Sequence, residues 1–158
     1  MDRENILRIC KKCEAKCCRL GGPTCTRNEV KKILFSGAKN KFYKVSENLY
    51  EVETTNENGV CPYLSKNDGC SIYKLRPLVC KCWPVFPKIS GNKRKYILVE
   101  CPLAKKLSKK EIKEYRKEAK KLDNKLIKLC WDNSTIPSSR EQAIVNKRLK
   151  KFKIKILK

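Results

Sequence analysis

Eleven cysteines and no histidine stand among the 158 residues of the chain. Four of the cysteines, Cys10, Cys13, Cys17 and Cys18, fall within nine residues, in the stretch ICKKCEAKCC. Thiolates are soft ligands. Without imidazole, a transition-metal site here has to be thiolate-dominated, which suits zinc or an iron–sulfur cluster and disfavours copper(II), nickel or mononuclear non-haem iron. The same absence excludes Ser-His-Asp and Cys-His chemistry. None of the six glycines builds a G-x-G-x-x-G turn or a P-loop, so nucleotide binding has no motif behind it.

The redox setting follows from the first residues. MDRENILRIC carries charge at once and has no apolar h-region, so no signal peptide is expected. No stretch approaches the roughly 20 apolar residues of a membrane span. A cytoplasmic location, where thiols stay reduced, is the expectation. An odd cysteine count also argues against a complete disulfide framework, although intracellular proteins of hyperthermophiles can carry disulfides. Apolar residues make up 41%, a figure that includes the cysteines. What is left is thin for a self-sufficient core, so a bound metal is expected to act as a staple.

The elements that must position the thiols can be read from periodicity and caps. Ile6, Cys10, Cys13 and Cys17 step by helical intervals, which predicts a helix over Arg3 to Lys16 or, alternatively, a loop around a metal knuckle. Adjacent Cys17 and Cys18 are expected to diverge and so not to share one tetrahedral ion. Gly21-Gly22-Pro23 ends the segment. Thr26 to Glu29 reads as a capping box opening a helix to about Ser36, with Gly37 as its stop. FYKV (42–45) and LYEVE (49–53) predict one hairpin, and the run from Val85 to Cys101 predicts another turning at Gly91-Asn92. Ser108 to Glu111 is a second capping box. Ile112, Tyr115, Ala119, Leu122, Leu126 and Leu129 then form the apolar stripe of a helix over 109–130. A last helix from Ser139 is expected, although KFKIKILK at its end also fits strand alternation.

Between the hairpins lies CPYLSKNDGCSIYKLRPLVCKC (61–82). Cys61-Pro62 and Cys101-Pro102 share a Cys-Pro step that also occurs beside iron–sulfur ligands, where the proline fixes the backbone that presents the thiolate. The order C-x2-C-x3-C of Cys10, Cys13 and Cys17 is the reverse of that in radical-SAM enzymes, so membership of that class is not expected.

CKKCEAKCCR (10–19), the capped TRNEV helix, CPYL (61–64), GCSIYKLRPLVC (69–80) with Trp83-Pro84 after it, and CP (101–102) together resemble the CxxCxxCC family of zinc- or iron-chelating domains, also called the YkgJ-type cysteine cluster. The likeness covers about 10–102. It implies Cys10, Cys13, Cys17, Cys18, Cys61, Cys70, Cys80 and Cys101 as metal ligands, and leaves Cys25, Cys82 and Cys130 as additions of this chain, with Cys82 near enough to substitute. The flagellin lysine-N-methylases resemble the same cysteine motif, and for them an iron–sulfur cluster and methyl transfer are implied. They are larger, and this chain has no evident donor-binding region. Arg76, between two of the cysteines, is expected to hydrogen-bond or neutralise the thiolates of a cofactor ahead of binding substrate.

The formal net charge is +23, and residues 103–158 carry 19 Lys and Arg against six acidic residues. Lysine-rich surfaces of thermophiles gain Glu alongside Lys, whereas here the acidic partners are too few. A polyanion such as RNA, the ribosome or an acidic protein is therefore a candidate partner for 103–158. The expectation as a whole is an α+β fold: a small metal-organised cysteine-cluster domain, 1–102, with a basic helical extension, 103–158, packed on it. Its metal is a 4Fe–4S cluster with a redox or methyl-transfer role. The alternative is a structural zinc module that presents a basic surface.

Overall fold

The computed structural model describes residues 1–53, 59–67, 69–131 and 154–157. The fold is α+β, with short helices set against two small antiparallel sheets. Helix α1 spans Arg3–Lys12, and Asp2 caps it by accepting the Asn5 N–H at 2.8 Å. It does not run to Lys16. Glu14 and Ala15 take φ of 56° and 48°, left-handed values that end a helix and reverse the chain. That reversal carries Cys17 into a single 3-10 turn, Cys18–Leu20.

Strand β1 (Cys25–Thr26) leads into helix α2 (Arg27–Phe35), and β2 (Phe42–Lys44) and β3 (Leu49–Val52) follow. The Thr26–Glu29 capping box is present, and Gly37 closes the helix at φ 84°. The order of this first sheet is β1-β3-β2. Gly22 sits so close to β3 that a Cβ there would come within 2.4 Å of the Val52 Cβ, so no side chain fits. Cys25, Val30, Ile33, Val52, Cys61, Tyr63 and Ile72 make one apolar core around this sheet.

The second core is larger. Helix α3 (Leu78–Cys82) starts directly after Pro77 and hands over through the cis Trp83–Pro84 peptide to β4 (Val85–Ser90) and β5 (Lys93–Val99). Helices α4 (Lys109–Lys120) and α5 (Asn124–Trp131) cover this sheet with Ala119, Leu122, Leu126 and Ile127, all nearly inaccessible. Each large aliphatic buried in this way contributes about 1.5–3 kcal/mol.

The expected single helix over 109–130 is thus two. Asp123 accepts the Lys125 N–H at 2.7 Å, and this local bond favours a fresh start over continuation. Arg94 from β5 fills the gap by donating to the carbonyls of Lys120 (3.0 Å) and Leu122 (3.1 Å). The other difference is at the end of the chain. Ile154–Leu157 is a strand, β6, antiparallel to β5, rather than the end of a helix. The edge of β5 offers a row of unpaired backbone groups, and the extended IKIL of Ile154–Leu157 can satisfy them while a helix cannot. The rest of the expected last helix, from Ser139 to Lys153, lies outside the described residues. Among the described residues no helix is long and apolar enough to cross a membrane.

Candidate metal centre

The thiols gather where the two cores meet. Cys61 belongs to the core of the first sheet and Cys101 to that of the second. Helix α1 presents Cys10 and ends on Cys13, the reversal at Glu14-Ala15 brings in Cys17 and Cys18, and α3 supplies Cys80. Cys10 lies within electrostatic reach of Cys13, Cys101 and Cys18, and Cys13 also reaches Cys101. Cys18 is the hub of the remainder, acting on Cys61, Cys70 and Cys80. All eight cysteines singled out by the sequence are therefore in one continuous group. Among the described residues, no three His, Cys, Asp or Glu side chains already stand in the arrangement of a bound ion.

The expected divergence of Cys17 and Cys18 is not what the turn gives. The Cys17 and Cys18 sulfurs hydrogen-bond each other at the entry to the 3-10 turn, Cys17 standing just before it and Cys18 opening it. The Cys17 thiol is pushed well up by donating to Cys18 and by burial. Cys18 is lowered, first by accepting that bond and then by the positive charges of Arg76 and Arg19. Elsewhere burial dominates. It raises Cys10 to about 11 and Cys61 to about 12, and it also raises Cys70, Cys80 and Cys101. Neutral thiols of this kind must lose protons to become metal ligands.

The surroundings are suited to thiolates. At Cys61 the backbone N–H groups of Tyr63 and Leu64 point at the sulfur, and at Cys101 those of Leu103 and Ala104 do the same. The Ala104 N–H lies 3.4 Å from the Cys101 Sγ. The two Cys-Pro steps thus make the same local structure: proline has no N–H to give, and the next two amides turn back onto the sulfur. The Trp83 indole adds a further donor to Cys101, and the Ile72 N–H serves Cys70. A thiol is a weak acceptor, whereas a thiolate matches several N–H donors well. This donor set fits a thiolate-bound metal or cluster.

Arg76 stands among the thiols. Its charge acts on Cys10, Cys18, Cys70 and Cys80. Its guanidinium lies 3.8 Å from the centroid of the Tyr73 ring, and its Nε donates to the Tyr73 carbonyl at 3.2 Å. Those two contacts hold the cation in place beside the sulfurs. Of the other three, Cys25 is within the same electrostatic reach of Cys61 and Cys80, whereas among the described residues Cys82 meets Cys130 and no other cysteine in this way. Cys25 and Cys82 are fully buried and donate to the carbonyls of Pro23 (3.6 Å) and Val79 (3.3 Å). Cys130 lies against the Thr24 hydroxyl at 3.7 Å.

Three residues of this neighbourhood escape a reading of the motif alone. Trp83 is visible in the sequence only as part of a Trp-Pro step. Tyr115 lies on the stripe of α4, yet it comes close enough for Tyr73, Arg76 and Cys10 to act on it. Glu29 reads as a capping residue, but its second oxygen accepts the Leu78 N–H at 2.7 Å and so anchors the start of α3.

A family model, CxxCxxCC, described as "Putative zinc- or iron-chelating domain", matches residues 9–118. No curated protein and no solved structure matches the chain.

Proposed function

The chain belongs to the CxxCxxCC family, and we propose that its thiol centre holds a cysteine-ligated 4Fe–4S cluster in a redox or methyl-transfer-related role. The observation that carries this reading is the gathering of eight thiols and Arg76 into one group, with amide and indole donors aimed at Cys61, Cys70 and Cys101. Cys10, Cys13, Cys17, Cys18, Cys61, Cys70, Cys80 and Cys101 would supply the ligands, and Arg76 would offset their negative charge. Such a cluster supplies electron-transfer chemistry, at a potential set by hydrogen bonds to sulfur, charge and exposure. This chain's own part is to aim Arg76 and its N–H donors at sulfurs that give up their protons on binding, and to limit water around them. Purification without oxygen, followed by iron, zinc and acid-labile sulfide analysis, tests the reading. About four irons and four sulfides per chain are expected for one cluster. Zinc without sulfide would overturn it.

A specific feature favours a second reading, a structural zinc module that presents its basic surface to RNA, the ribosome or another polyanion. Every lysine from Lys105 to Lys128 is exposed. Only Lys117 and Lys121 among them are seen in ion pairs, with Glu114 and Glu118, among the described residues. In this reading the metal stabilises the fold and the lysine face does the binding. The division into a cysteine-cluster domain, 1–102, and an extension, 103–158, belongs to the same proposal, as does a cytoplasmic location.

A further inference from the structure

Beside the thiol centre the surface folds into a cleft of about 520 Å³. Its walls come from the segment after α2, from the turn at Pro62-Tyr63, from Cys70 to Leu75 and from Arg3 of α1. The volume falls in the range of small-molecule sites, roughly 300–1,000 Å³. Among the described residues the lining includes four basic side chains, Arg3, Lys39, Lys41 and Lys74, and no acidic one. Four like charges around one concavity repel each other, and an anion between them relieves that repulsion.

The cleft is also built rather than incidental. The Tyr63 hydroxyl donates to the Lys39 carbonyl at 2.8 Å and so ties the segment that carries Lys39 and Lys41 to the opposite wall. The Arg3 guanidinium lies 5.0 Å from the centroid of the Tyr73 ring. The end of α2 at this site brings carbonyl dipoles of the opposite preference, but these are partial charges set against four full ones. Cys70 forms part of the wall, so an occupant would rest against the thiol group.

We propose that this cleft binds a small organic anion, held through a carboxylate or phosphate group by Arg3, Lys39, Lys41 and Lys74. The placement of that anion beside a metal-bound Cys70 rests on the function proposed above, whereas anion binding itself does not. If both hold, the centre acts on, or responds to, an anionic small molecule.

The experiment uses the full chain with its metal and two probes, inorganic phosphate and citrate, titrated by calorimetry at fixed ionic strength. The double variant Lys39→Gln/Lys74→Gln alters two exposed side chains of the cleft. Lys113→Gln/Lys117→Gln removes the same charge from α4. Saturable binding of at least one probe is expected, weakened roughly tenfold in the cleft variant and unchanged in the α4 variant. Tighter binding of phosphate or of citrate identifies the preferred source of the anionic group. Absence of saturation with both probes would overturn the proposal, as would equal weakening in both variants, which marks a diffuse field. Metal content measured on the same samples keeps this result separate from that of the metal proposal.

Discussion

Glu29 and Leu78, 49 residues apart, are joined by a hydrogen bond of 2.7 Å from the Leu78 N–H to the Glu29 carboxylate. The other carboxylate oxygen closes the Thr26 capping box. One side chain therefore fixes the start of α2 and the start of α3, the helix that holds Cys80. Glu29→Ala removes a cap contact worth about 1 kcal/mol and leaves a part-buried N–H without its charged acceptor, worth about 1.5–3 kcal/mol. A total loss of about 2.5–4 kcal/mol in urea unfolding is expected, together with lower metal content. A loss below about 0.5 kcal/mol, the size of an ordinary surface change, would show that the bridge is inconsequential.

Arg94 caps the end of α4 through the carbonyls of Lys120 and Leu122. A cation at a helix C-terminus contributes about 0.3–1 kcal/mol, and the part-buried bond to Leu122 about 1.5 kcal/mol, while the exposed bond to Lys120 adds little. Arg94→Ala should thus lower stability by about 2 kcal/mol, with Arg94→Lys intermediate because one ammonium cannot reproduce the fork. Thermal unfolding of the three proteins decides it, and indistinguishable midpoints would refute the capping role.

Substitution tests the proposed division of the cysteines into metal ligands and buried structural thiols. Cys61→Ser should lower metal per chain, because it alters a sulfur at which two amides point. Cys82→Ser should leave metal content unchanged and instead lower stability by about 1–3 kcal/mol, since it puts a hydroxyl into a fully inaccessible position. Loss of metal in Cys82→Ser would place that residue among the ligands.

Burial raises the thiol of Cys25 and pushes Cys130 up to about 12, against an ordinary value of 9.0. The folded state therefore keeps these protons at a pH where the unfolded chain has released them. Their contribution to stability is fully present below pH 9 and is lost as the pH climbs towards 12. Once above pH 9, each such thiol tilts stability by about 1.4 kcal/mol per pH unit. Between pH 9 and 11, Cys130→Ala should give a flatter decline in unfolding midpoint than the parent chain. Parallel curves would rule the linkage out.

Left-handed backbone at Glu14 brings Cys17 and Cys18 back towards α1. For an L-residue this conformation costs roughly 1–2 kcal/mol relative to right-handed helix, and glycine avoids that cost. The Arg19 contact at this position is to the Glu14 carbonyl, so it survives a change of side chain. Glu14→Gly is expected to raise stability by up to about 1 kcal/mol in urea unfolding and to keep the metal content. Destabilisation instead would show that this turn is not strained.

The parts of this structure that were legible in the sequence are those whose causes are local. Both capping boxes need only residues three apart, and both hairpins need only alternation and a turn. The reversal at Glu14-Ala15 was not legible, because neither residue advertises a left-handed φ and the helical spacing of the cysteines runs on past it. Asp123 was hidden inside a continuous apolar stripe, although its capping habit breaks that stripe in two. β6 is decided by the open edge of β5, more than fifty residues earlier, and the local pattern KFKIKILK fits both outcomes. At the proposed centre, the eight cysteines are named by the family resemblance in motif order, and local spacing alone does not rank them above Cys25, Cys82 and Cys130. The donors at Trp83 and the bridge at Glu29 came from tertiary placement, which no spacing encodes.

The account stands or falls on a metal centre built from sulfur. X-ray absorption at the iron and zinc edges of the chain purified without oxygen tests this most directly. With no histidine in the sequence, the predicted result is a shell of sulfur alone, at about 2.3 Å if the metal is zinc. For the favoured iron–sulfur reading, iron–iron scattering appears as well. A first shell of oxygen or nitrogen, or no bound metal in a folded chain, would contradict it.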